Sequence, residues 1–297
     1  MIAVLQSRGL SKRYRQLKAL TDCTLNIPAG HIVGLVGPNG AGKTTLLNLA
    51  AGMLAPTSGT IEVLGGKPGS GPAQLAKVGF VAQDTPAYAG LSVADHLRIG
   101  AHLNPGWDAA LARDRIKQLG LDPGQRAGKL SGGQRAQLAL TLAIAKRPEL
   151  LILDEPIASL DPLARREFLH SLTEFAAAHQ VSVVMSSHLV GDLERVCDYL
   201  IVLVASRVQV AGQVGELLTS HRHLTGARHD HVTLAAGWQV ISASHAGGQS
   251  TLLARTSGTA NDPAWAVSHV GLEDLVLAYM SRAAVVPGRE PAREERQ

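Results

Sequence analysis

The sequence predicts an α/β protein with a mostly parallel core sheet, a helical insert and a small C-terminal α/β appendage. Three observations carry this. Short apolar runs at 32–36, 150–153, 181–185 and 200–204 alternate with helix-like segments, the pattern of strands buried on both faces. The stretch from Pro86 to Leu130 has few β-branched runs and reads as helices at 93–102 and 108–119, joined by a turn at Asn104-Pro105-Gly106. After about Ser220 the composition shifts, and short alternating runs at 237–242 and 251–255 lead to a closing helix-like segment at 272–280.

The domain boundaries follow. Residues 1–220 form one domain, with the insert at about 86–140, and 221–282 form the appendage. Residues 283–297 are polar and aperiodic, so a disordered tail is expected. Four histidines, His221, His223, His229 and His231, sit at the domain junction. Their spacing follows no single helical face and no cysteine or carboxylate pair joins them, so we read a solvated linker rather than a zinc site.

Composition narrows the function classes. Hydrophobic residues make up 45% of the 297, enough for a real core. Aromatics are only 3%, which leaves few platforms for stacking bases. The formal charge is +4, but the basic residues are scattered, as a solvated surface would have them. No nucleic-acid partner is expected. Cys23 and Cys197 form no paired motif and read as idle thiols of a reducing compartment. The chain opens on a strand-like run at 2–5, no signal peptide is expected, and no apolar run reaches the roughly 18 residues of a membrane-spanning helix.

The chemistry sits in three motifs. Gly37-Pro38-Asn39-Gly40-Ala41-Gly42-Lys43-Thr44, with Thr45 next, fits G-x-x-x-x-G-K-[ST] between a strand and a helix. Such a loop brings bare backbone N–H groups around phosphate oxygens and feeds a helix N-terminus that favours anions. Lys43 can reach the β- and γ-phosphates, and the Thr44 hydroxyl can ligate Mg²⁺. The apolar strand at 150–153 ends in Asp154-Glu155-Pro156. There Asp154 can hold Mg²⁺ and Glu155 can act as general base on the attacking water. Leu130-Ser131-Gly132-Gly133-Gln134 precedes a helix-like run and offers a second anion site at a helix N-terminus. Taken alone, Ser131 could equally be an N-cap.

Together these motifs resemble the nucleotide-binding subunits of ABC transporters, over about residues 4–215. The resemblance implies a P-loop NTPase fold of the ABC cassette type, with antiparallel strands at its N-terminus. It also implies roles for residues that say little alone. Tyr14 matches the aromatic that stacks on adenine, and Gln83 the glutamine that contacts Mg²⁺ and water and links to the membrane partner. Asp161, in Ser159-Leu160-Asp161, matches the loop that crosses the dimer seam, and His188 the histidine that reaches the γ-phosphate. Ile157 departs from the family, where Thr is common, at a position the chemistry does not require. The implied assembly is a head-to-tail dimer with two ATP molecules, each between the glycine-rich loop of one copy and the Ser131–Gln134 loop of the other, driving permeases on separate chains. Segments 103–108 and 271–275 are similar to export-type bacterial subunits. The alternative reading is a soluble ABC ATPase acting on DNA or the ribosome, but those branches carry two cassettes or long inserts. A base-reading N-K-x-D motif is missing, which argues against GTP. The segment 84–91 is a candidate permease contact.

Overall fold

The computed structural model describes residues 3–83, 87–227, 238–256 and 265–284. Its contacts divide the chain into two units, Met1–Val214 and Gly215–Gln297. The first unit runs β1 (Ala3–Tyr14), β2 (Leu17–Pro28), β3 (Ile32–Val36), α1 (Lys43–Ala50), β4 (Ser58–Val63), α2 (Pro72–Ala76) and β5 (Val78–Val81). It continues with α3 (Val93–Leu103), α4 (Ala109–Gln118), α5 (Gly132–Ile144), β6 (Leu150–Leu153) and α6 (Pro162–His179). It closes with β7 (Ser182–Ser187), α7 (Val190–Glu194), β8 (Tyr199–Val204) and β9 (Arg207–Gln213).

The six-stranded sheet has the order β5-β6-β7-β3-β8-β9, parallel except for β9. Every residue of β6, β7 and β8 is buried, which fits the apolar runs at 150–153, 183–185 and 200–204: these strands are covered on both faces. At the β9 edge burial becomes partial. A separate antiparallel sheet, β2-β1-β4, packs its inward residues, such as Leu5, Leu10, Leu25 and Val63, into the same core as α1 and β3. Its strands alternate buried and exposed positions, as a sheet with one wet face requires.

Local signals set the helix starts. Ser131 caps α5 and Ser92 caps α3, each in a reciprocal capping box, with Gln134 and Asp95 as the returning partners. The Ser92 hydroxyl, bonded to Asp95, draws that carboxyl down to about 2, so it stays charged at the helix N-terminus. Asp161 caps α6 through the N–H groups of Leu163 and Ala164, and Pro162 occupies the first turn. The helical insert has its own small core of Val93, Ile116, Leu121, Ala127, Leu130 and Leu138. Among the described residues no helix is long and apolar enough to cross a membrane.

The second unit begins within α8 (Val214–Ser220) and holds β10 (His221–Ala227), β11 (Trp238–Ala246), β12 (Gln249–Thr256), β13 (Ala266–Ser268) and α9 (Leu272–Ala284). Its sheet, β11-β12-β10-β13, is antiparallel, and Leu224, Leu252, Ala254 and Trp265 form its core. Here the linker reading of the histidines fails for two of the four. His221 is fully buried at the start of β10, and the half-buried His223 faces Asp274 at 3.4 Å. The strand register, which local spacing does not reveal, turns His221 inward, and both its ring nitrogens are satisfied there. His229 and His231, and the tail beyond Ala284, lie outside the described residues.

His221 Nδ1–H donates to the Leu217 carbonyl at 2.7 Å, so Nε2 accepts from the Tyr279 hydroxyl at 2.9 Å. Burial, with the Arg255 charge adding to it, outweighs the Leu217 carbonyl and lowers the His221 pKa from its ordinary value. Protonation is therefore easier in the unfolded chain than in the folded one. Stability should be constant above the ordinary histidine pKa of roughly 6.5 and fall as pH drops through it. Denaturation of the full chain in a Trp107→Phe background, in which the fluorescence of Trp238 and Trp265 alone reports, should show an earlier midpoint at pH 5.5 than at pH 7.5. His221→Gln should flatten that difference.

Candidate functional site

The site lies where neighbouring parallel strands end. β5, β6, β7 and β3 lie side by side, and their C-terminal ends lead to Gln83, to Asp154 and Glu155, to His188, and to Gly37 respectively. Residues more than a hundred positions apart in the chain thus converge on one edge of the sheet. A cleft of about 660 Å³ opens there, lined by Tyr14, residues 38–45, Gln83, Glu155 and His188.

The loop after β3 can take only glycine at two points. A Cβ on Gly37 would stand 2.0 Å from the Leu203 carbonyl oxygen. Gly42, the N-cap of α1, has φ 106°, and a Cβ there would meet the Ala19 carbonyl oxygen at 2.3 Å. The bare backbone so produced, opening into the helix N-terminus, is the cradle a chain of phosphates needs. Lys43 is buried at its base, and Nζ donates to the Gly37 carbonyl at 2.8 Å. The same ammonium stands 3.4 Å from Glu155 Oε1. His188 Nδ1–H donates to Glu155 Oε2 at 2.6 Å, so one carboxylate bridges two basic groups. At the far end of the cleft, Tyr14 is 42% exposed, with the Lys12 ammonium 5.3 Å from its ring centroid. An exposed face of this kind can stack on a planar base.

Glu155 is held in an unusual backbone state, with φ 48°, and Ser186 at the end of β7 secures it. The Ser186 hydroxyl accepts from Glu155 N–H at 2.8 Å and donates to Asp154 Oδ1 at 2.7 Å. One buried serine therefore orients both acidic residues. The sequence reading missed it; the available signal was a polar residue at the end of an otherwise apolar strand. It also missed Leu17, Lys18 and Ala19, which form a wall of the cleft.

Thr44, Gln83 and Asp154 border a second groove that adjoins the cleft. Their hydroxyl, amide and carboxylate oxygens are the hard donors that Mg²⁺ takes, so this side of the cradle fits the ion. The remaining sequence-predicted residues fall elsewhere. Ser131, Gly132, Gly133, Gln134 and Asp161 do not line the cleft. They cluster on another part of the unit, where a Cβ on Gly133 would meet Ala164 Cβ at 2.9 Å, so the N-termini of α5 and α6 lie against each other.

The chain is similar to known proteins in sequence and in fold. A family profile described as ABC transporter matches residues 20–158. The chain is 33% identical, over 220 residues and 72% of each protein, to a Bacillus subtilis protein named the uncharacterized ABC transporter ATP-binding protein YxlF. It is 36% identical over 203 residues, 66% of this chain and 86% of the relative, to the thiamine import ATP-binding protein ThiQ of Salmonella choleraesuis. Among solved structures it is similar to one described as the ATP binding subunit of an ABC transporter. That match has 27% identity and a TM-score of 0.66, over 73% of this chain and 92% of the other.

Ser186→Ala strips the Glu155 N–H and the Asp154 carboxylate of a buried partner at once. Chemical denaturation should register a loss of about 1–3 kcal/mol, the usual cost of orphaned buried polar groups. Ser186→Thr keeps the hydroxyl on a strand and should recover most of it.

Proposed function

The chain belongs to the ATP-binding proteins of ABC transporters, and from that premise we propose how its ATPase site and its partners are arranged. The observation that carries the proposal is the bridging carboxylate of Glu155, set between Lys43 and His188 at the mouth of a glycine-lined cradle. ATP is the substrate. Its adenine stacks on Tyr14, and its phosphates lie along Gly37 to Thr45, with Lys43 on the β- and γ-oxygens. Bound Mg²⁺, held by Thr44, Gln83 and Asp154, would neutralise charge on the transferred phosphoryl group. Glu155 accepts the proton of the attacking water, and His188 steadies the γ-phosphate. Gln83 orients the water.

Ser131 to Gln134 and Asp161 complete the site from a second copy of the chain. They stand away from the cleft of their own subunit, and Ser131–Gln134 form an anion-favouring helix N-terminus. A triphosphate would then join two copies, and its hydrolysis would release them.

The partner on the other side is an integral-membrane permease on separate chains, which would bring this protein to the cytoplasmic face of the membrane. The support is the groove beside Gln83, about 770 Å³, where Met53, Leu75, Tyr88, Ile99 and Leu103 expose apolar side chains. Tyr88 is 72% exposed, and its backbone N–H is pinned to His96 Nε2 at 3.0 Å, so the ring is presented by a fixed loop. Of the expected contact segment, residues 84–86 lie outside the described part of the chain. We favour export on the strength of segments 103–108 and 271–275, although ThiQ is named for import.

Glu155→Gln should lower steady-state phosphate release by at least about a hundredfold, the scale of a lost general base. The variant should still bind ATP and elute as a dimer with ATP and Mg²⁺. Hydrolysis at the wild-type rate would remove Glu155 from its role, and a persistent monomer would remove the shared site. Tyr88→Ala should reduce co-purification with the permease at unchanged basal ATPase rate. Undiminished recovery would place the permease elsewhere.

A further inference from the structure

A second cavity lies within the helical insert, between α3 and α4, with a volume of about 640 Å³. That is within the roughly 300–1,000 Å³ of small-molecule sites. No residue of the catalytic cleft lines it. Its walls are apolar: Leu97 from α3, Ile116 from α4, and Leu121 and Pro123 beyond α4. Alanines on both helices leave the space open, among them Ala101 and Ala112.

Trp107 is the one aromatic residue that lines the cavity. Its ring lies against Gly100 so closely that a Cβ on that glycine would stand 2.5 Å from a ring carbon. The indole is thus seated by a residue with no side chain and forms a fixed wall. It also borders the groove beside Gln83, so it is the partition between the two spaces.

The charged residues on this wall are Arg98, Arg113 and Lys117, and no carboxylate lines it. Arg98 is paired with Asp95 on its own helix. Among the described residues, no ion pair joins Arg113 or Lys117 to an acid. Lys117 lies in the last turn of α4, where the helix dipole favours a cation in any case. Arg113, a turn earlier, has no such reason. The two stand four residues apart on one helix face, at the mouth of an apolar chamber. A hydrophobic cavity with an unpaired cationic rim is complementary to a molecule with an apolar body and one anionic end.

We propose that this cavity binds a medium-chain fatty acid, with the acyl chain against Leu97, Trp107, Ile116 and Leu121 and the carboxylate between Arg113 and Lys117. The chain removes apolar surface from water, and the carboxylate accepts charge-assisted hydrogen bonds at the rim. Charge complementarity favours this occupant over an apolar peptide helix, which would leave both cations unanswered. The inference does not depend on the transport reading, because it concerns binding to the isolated chain.

Dodecanoate is a suitable probe below its aggregation concentration, with dodecanol and dodecyltrimethylammonium as neutral and cationic comparators. Calorimetry on the full-length protein should give saturable binding of dodecanoate at one site, with both comparators at least tenfold weaker. The double variant Arg113→Glu with Lys117→Glu should weaken dodecanoate at least tenfold while ATP binding is unchanged. Ala101→Trp, at an exposed position on α3, should block the cavity without touching the rim charges. Dodecanoate should change tryptophan emission in the wild type and not in Trp107→Phe, although calorimetry still detects binding to that variant. Equal affinity for the neutral or cationic comparator, indifference to both the rim and the Ala101 changes, or the lack of a saturable site would each overturn the proposal.

Discussion

A buried lysine ammonium and glutamate carboxylate that face each other across 3.4 Å at the base of the cleft govern the site. Both side chains are largely out of water, and a buried pair of this kind adds little net stability, because desolvation offsets most of the attraction. Its meaning is positional. Lys43 is fixed from below by the Gly37 carbonyl, and Glu155 is fixed from behind by Ser186. The gap between the two is therefore set by the sheet and not by the pair itself. As proposed, a triphosphate in the cradle would bring a stronger anion to Lys43 and to His188. In the proposed mechanism it would draw on the same two groups that hold the carboxylate, and the carboxylate would become available to a water. Under the proposed mechanism one geometry would serve both nucleotide capture and base catalysis, because Lys43 and His188 both face the carboxylate.

That sharing depends on backbone placement. Parallel strands put all their C-terminal ends on one edge, and here four adjacent strands do so. The order β5-β6-β7-β3 sets the order of the functional groups: Gln83, then the acidic pair, then His188, then the cradle. The positive φ of Glu155 turns the chain sharply after β6, and the Ser186 hydroxyl from the neighbouring strand meets the N–H exposed by that turn. Strain at one residue is compensated by a hydrogen bond from the next strand, so the two loops act as one unit.

The parts of this design that were legible in the sequence are those whose physics is local. Gly37 to Thr44 is a turn and a helix start, and both are written in consecutive residues. The run 150–153 ending in two acids is likewise local, and buried apolar runs announced the parallel strands of the core. What the sequence hid depends on register and on distant partners. Ser186 looks like any polar strand end until β7 is laid beside β6. Leu17 to Ala19 become a wall only when β2 passes over the glycine loop. His221 was misread for the same reason: spacing alone suggested a wet linker, whereas strand pairing turns the ring toward Leu217 and Tyr279. The cavity at Trp107 left no trace in the sequence, because it is made by alanines that face one another from two helices.

Ser131 raises a sharper question, since a serine before a helix has a sufficient explanation as a cap. The protein contains its own control in Ser92, which caps α3 through the same reciprocal box. In that box the Ser92 hydroxyl donates its proton to Asp95 at 2.6 Å and has nothing left to offer. In the other, Gln134 replaces the carboxylate and its oxygen is occupied by the Ser131 backbone N–H at 2.9 Å. The Ser131 hydroxyl accepts from Gln134 N–H at 3.2 Å, and among the described residues its own proton has no acceptor. An amide in place of an acid thus leaves a free donor and removes a negative charge from the very point where an anion would approach. A helix that needed only a cap would gain more from Asp or Glu at that third position, which the dipole favours. The neutral glutamine, the two glycines and the unspent hydroxyl make physical sense together if this end of α5 is kept clear for a phosphate carried by another copy of the chain.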